Sequence, residues 1–148
     1  MSISELYKQI ILEHNRAPHH FGTLKNSTHR AEGYNSLCGD RLSMELIVRE
    51  PKLETMAFAG EACAIAIATA SLMSDLVVMN ELTSVRRLEQ CFRSLLLGPV
   101  SSEQHPELKQ LALLKELRRY PARIKCALLP WATLMSALGS GATVSTEV

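Results

Sequence analysis

The chain has no excess of charge of either sign: 16 lysines and arginines stand against 15 aspartates and glutamates, a formal net charge of +1 over 148 residues. That balance supplies neither the basic footprint of a nucleic-acid binder nor an acidic tail. Long apolar runs are also missing. No stretch approaches the roughly 20 apolar residues that cross a bilayer, and Met1-Ser2-Ile3-Ser4-Glu5-Leu6-Tyr7-Lys8 lacks the apolar core of a secretory signal. The expectation is a cytoplasmic protein with neither nucleic acid nor membrane as partner. No internal repeat and no domain boundary interrupt the chain. A hydrophobic content of 47% at this length suffices for one core without cross-links, so the four cysteines read as thiols, ligands or nucleophiles rather than disulfides.

Three of those cysteines lie in segments that a strand register brings together. Arg41 to Arg49 alternates, with Leu42, Met44, Leu46 and Val48 on one face; after Glu50-Pro51-Lys52 a second strand-like run, Leu53 to Ala59, leads to Gly60. A hairpin turning at Glu50-Pro51 pairs positions whose numbers sum to about 101. Cys38 and Asp40 at one end therefore face the neighbourhood of Cys63 at the other.

Helix dominates the remainder. Ser2 to Glu5 fits a capping box, with Leu6, Tyr7, Ile10, Ile11 and His14 on one face of a helix ending before Pro18. Residues Arg30 to Asn35 read as a short strand entering the Cys38 loop. Ala64 to Met79 is apolar and small on nearly all sides, as expected of a helix lying on a sheet and covered by others. Thr83 is the expected cap of a helix through Leu88, Cys91, Phe92, Leu95 and Leu96, stopped by Gly98-Pro99. Pro106 to Arg119 supplies a further helix with Leu108, Leu111, Leu114 and Leu117, and Pro121 opens the last, which ends near Gly139.

Thiolates bind zinc, iron and iron–sulfur clusters, and a carboxylate completes a tetrahedral site with a more exchangeable fourth bond. Cys63 falls at a helix N-terminus, where the dipole lowers thiol pKa, and Arg123 and Lys125 place positive charge beside Cys126. Cys38, on a glycine-containing loop, is expected to be the most mobile of the three. Plainer readings apply elsewhere. Cys91 shares the packed face of its helix with Leu88, Phe92 and Leu95, and Asp40 alone could be a turn residue. His19, His20, His29 and His105 read as solvated loop residues, and Arg86-Arg87 and Arg118-Arg119 as solvated helix faces.

Cys38-Gly39-Asp40, Gly60-Glu61-Ala62-Cys63 and Arg123-Ile124-Lys125-Cys126, in that order and with Leu6-Tyr7 and Pro18, resemble the IscU/NifU-N/SufU family of iron–sulfur cluster assembly proteins from about Leu6 to Leu138. The chain is most similar to the SufU branch: Lys125 precedes the third cysteine where IscU-type scaffolds carry histidine, and the span from Cys63 to Cys126 holds an extra helix-length insertion. The resemblance implies an α+β fold of the SufE/NifU-like type, with a small antiparallel sheet of about three strands, helices on one face and the metal site at the sheet end. It implies one domain over 1–138 and a flexible tail over 139–148. It implies a zinc-dependent sulfurtransferase in which Cys38 accepts persulfide sulfur from a cysteine desulfurase. Cys38, Asp40, Cys63 and Cys126 are the expected metal site, and Arg123 and Lys125 are expected to meet the partner. The alternative is a scaffold that holds iron or a [2Fe–2S] cluster and passes it to carriers or apo-proteins; whether the chain is an enzyme turns on that choice.

Three departures from the family pattern bear on rate or affinity without removing a ligand. Ala62 stands where relatives have glycine, and Ser36-Leu37 replaces Asn-Pro before the first cysteine. Pro130 has no amide hydrogen to donate to the Cys126 carbonyl, so either the last helix bends there or its regular part begins there.

Overall fold

Two ten-residue strands, β2 (Asp40–Arg49) and β3 (Lys52–Glu61), form the spine of the computed structural model, which describes residues 2–100 and 104–146. Pairs nearest the turn, Arg49↔Lys52 and Val48↔Leu53, have numbers summing to 101; from Ile47↔Thr55 to Arg41↔Glu61 they sum to 102. The extra residue is a β-bulge at Glu54, and it resets the pleat. Leu53 and Met56, three apart, both become buried, and Phe58 follows in phase.

β1 (His29–Asn35) covers the short strand expected at Arg30 to Asn35 and pairs antiparallel with β2, Asn35 lying opposite Asp40. The sheet has five strands, not about three, in the order β4-β3-β2-β1-β5, and it is mixed. The additional strands are two residues each: β4 (Asn80–Glu81) beside β3, and β5 (Val144–Ser145) parallel to β1. Pairs this short carry no alternation to read from sequence. β5 lies within the segment 139–148 expected to be a flexible tail; Glu147 and Val148 of that segment, and Met1 of the expected 1–138 domain, lie outside the described residues.

The capping box of α1 (Ile3–Arg16) is formed, Ser2 Oγ accepting from the Glu5 amide at 3.1 Å and Glu5 Oε2 from the Ser2 amide at 3.2 Å. α2 (Ala64–Val77) is the central helix, buried from Ala66 through Ser74. α3 (Leu82–Leu97) starts one residue before the expected Thr83, which sits in its first turn. The start is fixed by the backbone, the Leu82 amide donating to the Pro51 carbonyl at 2.9 Å. Arg118, expected on a solvated face, donates to the Leu95 and Gly98 carbonyls at 2.9 and 2.7 Å and so caps the end of α3.

Pro106–Arg119 is helical with 3-10 geometry, broken at Lys109 (φ 51°). Its buried residues Leu108, Leu111, Leu114 and Leu117 recur every three positions, the period at which side chains of a 3-10 helix eclipse one another. An α-helix would have carried such a stripe progressively off the core.

α4 (Pro121–Leu138) runs continuously through Pro130, so the regular helix does not begin at that proline. It lies across β1 at Gly33, where an added Cβ would stand 2.1 Å from Thr133 Oγ1 and 3.1 Å from Leu129 Cδ1. Trp131 of α4 and Phe92 of α3 stack at 5.9 Å between ring centroids and join the two helices in the core. Among the described residues, no helix is long and apolar enough to cross a membrane.

Candidate metal centre at the hairpin end

Each sulfur of the candidate centre is delivered by a different element. Cys38 lies in the four-residue loop between β1 and β2, whose turn is closed by the Cys38 amide donating to the Asn35 carbonyl at 3.2 Å. Gly39 follows with φ 71°, the left-handed conformation that glycine adopts without steric penalty. Asp40 opens β2 and is buried. Cys63 is the N-cap residue of α2, and Cys126, fully buried, sits in the second turn of α4. None of the four cysteines is in a disulfide.

Register does the assembling. With Arg41 opposite Glu61, Asp40 reaches the start of α2, and its Oδ1 accepts the Cys63 amide at 2.7 Å while Oδ2 lies 3.6 Å from Cys63 Sγ. Cys126 Sγ is 3.0 Å from Cys38 Sγ. Ligand atoms of Cys38, Asp40 and Cys126 all fall within 4.8 Å of one another, and Cys63 joins them through Asp40. Zinc–sulfur bonds of about 2.3 Å in a tetrahedron put sulfurs about 3.8 Å apart, so the Cys38 and Cys126 thiols with the Asp40 carboxylate are within reach of one zinc ion or cluster iron, while Cys63 stands outside that trio, beside Asp40.

The thiols are electrostatically unlike. A hydrogen bond from Cys126 draws the Cys63 pKa down to about 7 against the opposing effect of burial. The Ala66 and Ile65 amides also favour the thiolate, although no capping hydrogen bond to the sulfur is formed. Cys126 is pushed strongly upward by donating that bond and by burial. The exposed Arg123 guanidinium is held charged chiefly by Cys63 and then Cys126. Arg123 is thus beside the sulfurs; Lys125 is half-buried, and its carbonyl accepts Thr146 Oγ1 at 3.0 Å.

Asn35 is a site residue that the motifs did not single out. It is buried at the base of the Cys38 loop, its Oδ1 accepting the Leu37 amide at 3.2 Å in an Asx-type turn while Nδ2 has no partner. A buried donor of this kind suits a neighbouring thiolate acceptor. Its position in Asn35-Ser36-Leu37, just before the first cysteine, was the available signal.

The comparisons with known proteins agree with this geometry. The NifU-like N terminal domain matches residues 6–127. This chain belongs to that family, the one that includes the IscU and SufU proteins. It is 32% identical over 136 residues to the iron-sulfur cluster assembly scaffold protein IscU of Streptococcus pyogenes serotype M1, covering 92% of this chain and 84% of the relative. It is 29% identical over 133 residues to the zinc-dependent sulfurtransferase SufU of Bacillus subtilis (strain 168), covering 90% and 89%. The crystal structure of a putative iron-sulfur cluster assembly scaffold protein for the SUF system from Fervidobacterium islandicum AW-1 superposes with a TM-score of 0.82 at 25% identity, covering 90% of this chain and 97% of that one.

The other cysteine and four histidines divide differently. His29 is half-buried at the start of β1, its Nδ1 2.8 Å from Thr28 Oγ1. His19 and His20 are not free loop residues, since α2 holds their rings: His19 Nδ1 lies 2.6 Å from Asp75 Oδ2 and His20 Nδ1 2.8 Å from Ser74 Oγ. His105 is half-buried, 3.5 Å from Glu107, and the two share a cluster with Cys91, which is half-buried rather than sealed in the core.

Proposed function

We propose that this protein is a SufU-type sulfurtransferase of cytoplasmic iron–sulfur cluster biogenesis, receiving sulfur from a cysteine desulfurase at Cys38. The observation that carries the proposal is the unequal footing of three clustered thiols: Cys38 on a glycine loop, Cys63 on a helix cap and Cys126 buried in α4. Cys38, Asp40, Cys63 and Cys126 would hold zinc. Bound zinc keeps thiolate ligands deprotonated and ties folding to the site.

The chain's own residues can carry out the transfer. The Cys38 thiolate attacks the terminal sulfur of the donor's persulfide; a new sulfur–sulfur bond forms on Cys38, the donor's bond breaks, and the donor cysteine leaves as a thiolate. The Cys38 proton goes to solvent, and no outside oxidant or reductant is consumed. Arg123 stabilises negative charge on the sulfurs, and Arg123 and Lys125 offer positive charge to the desulfurase. The sulfur then passes on toward cluster carriers or apo-proteins.

Supporting this branch are the name of the Bacillus subtilis relative and lysine at 125. A second reading, a scaffold for a [2Fe–2S] cluster, is favoured by the name of the streptococcal relative and by a donor set that suits iron equally. The proposal is tested by incubating the full chain with a cysteine desulfurase and free cysteine, then mapping persulfide by mass spectrometry. Persulfide should sit on Cys38, and Cys38→Ala should lose stimulation of desulfurase turnover. Persulfide on Cys91, or full stimulation by Cys38→Ala, would overturn the assignment.

A further inference from the structure

Roughly 18 Å along α2 from Cys63, at a rise of about 1.5 Å for each of twelve residues, three imidazoles and a carboxylate meet where the connection after α1 crosses α2. His14 is buried, with Nδ1 2.7 Å from Ser71 Oγ, and the same oxygen accepts the His19 amide at 2.8 Å. The rings of His14 and His19 lie 4.7 Å apart between centroids. His19 Nδ1 is 2.6 Å from Asp75 Oδ2, and His20 Nδ1 is 3.8 Å from Asp75 Oδ1. Ser74 spends its hydroxyl hydrogen on the Ser71 carbonyl at 2.7 Å, so His20 Nδ1–H must donate to Ser74 and its Nε2 is left as a lone pair.

The backbone here is held in place. His20 takes φ 59°, a conformation that few non-glycine residues adopt, and its carbonyl accepts the Phe58 amide at 3.0 Å while Gly22 donates to the Phe58 carbonyl at 2.8 Å. One ligand atom from each of His14, His19 and Asp75 lies within 4.8 Å of the others. Bonds of about 2.0–2.2 Å in a tetrahedral centre put such atoms about 3.4 Å apart. His19 and Asp75 side chains are 52% and 43% exposed, free enough to rotate that distance, whereas His14 is anchored.

We propose that His14, His19 and Asp75 form a second metal site, for a divalent transition cation of the zinc and cobalt class, with His20 beside it. Two imidazoles and one carboxylate favour such borderline cations over magnesium or calcium, which call for an all-oxygen set. On binding, the proton held between His19 and Asp75 leaves to solvent and the cation takes its place. Positions not filled by the protein take water.

The rival account is that the His19–Asp75 pair only clips the connection to α2. His19→Arg separates the two, because arginine keeps a cation for Asp75 but offers no lone pair. The probe is zinc chloride, added beyond one equivalent to nitrogen-15-labelled full chain while imidazole resonances are followed by NMR. His14 and His19 should shift along one saturable isotherm, with His29 unmoved and magnesium chloride without effect. In His19→Arg the isotherm should weaken by at least about tenfold while the amide spectrum stays dispersed. Unmoved His14 and His19 resonances, or an undiminished isotherm in His19→Arg, would overturn the proposal. Because the histidines report directly, the result is independent of what the cysteine centre binds.

Discussion

At the residue scale the cysteine centre is defined by its differences. In metal-free protein Cys63 should be alkylated at a rate rising through about pH 7, because the thiolate is the nucleophile. Mass-spectrometric mapping against pH checks this. Cys126→Ala removes the donated hydrogen bond, the largest cause of the lowering, and should move the midpoint upward; an unchanged midpoint would refute that cause. Asp40→Ala separates the two functional readings. If the chain is a zinc-dependent transferase, the loss of a ligand and of the acceptor for the Cys63 amide should lower zinc content and sulfur transfer together; a scaffold would instead hold a longer-lived [2Fe–2S] absorption band after anaerobic reconstitution. The first outcome is expected. The approach of Cys38 and Asp40 to Cys63 was legible because hairpin register is a local property, fixed by pleat and turn; Cys126, delivered by α4, was reached only through its motif. His14, His19 and Asp75 were not, since their meeting depends on how α1 crosses α2, and no spacing in sequence records that.

Among the elements, β1 and α4 impose the tightest steric condition. Gly33→Ala would drive a methyl group to 2.1 Å from Thr133 Oγ1, and Thr133 is itself fixed by donating to the Leu129 carbonyl at 2.7 Å. A loss of about 2–3 kcal/mol in urea unfolding is expected, in the range for overpacked cores; a loss below about 0.5 kcal/mol would show that α4 slides freely on the sheet. α1, α2 and α4 and the β2–β3 hairpin followed from periodicity, capping and the flanking prolines. The Pro106–Arg119 segment was legible as a helix from its leucines at every third residue, and their strict recurrence marks the narrower 3-10 winding. The bulge at Glu54 left no sequence signal beyond the three-residue step from Leu53 to Met56.

For the whole molecule, metal and fold are coupled if the cysteine centre is loaded. A ligand present at about a hundredfold over its Kd adds about 2.7 kcal/mol, and at about 2–4 °C per kcal/mol for a chain of this size a strong chelator should lower the melting temperature by about 5–11 °C. A protein purified without metal, with melting indifferent to chelator, would count against a structural role for the centre. The sheet's two-residue margins carry a further consequence, for self-association. The outer rim of β3 is stitched by Met79, His20 and Gly22 through the Leu53 carbonyl, the Phe58 amide and the Phe58 carbonyl, and that of β1 by β5 together with the Thr146 amide on the Tyr34 carbonyl. The ladder positions where another chain could dock edge to edge are therefore already paired at Gly33 and Tyr34 of β1 and at Leu53 and Phe58 of β3. Removing residues 143–148 should uncover β1, and the shortened protein should form thioflavin-binding aggregates on warming at temperatures where the full chain stays dispersed.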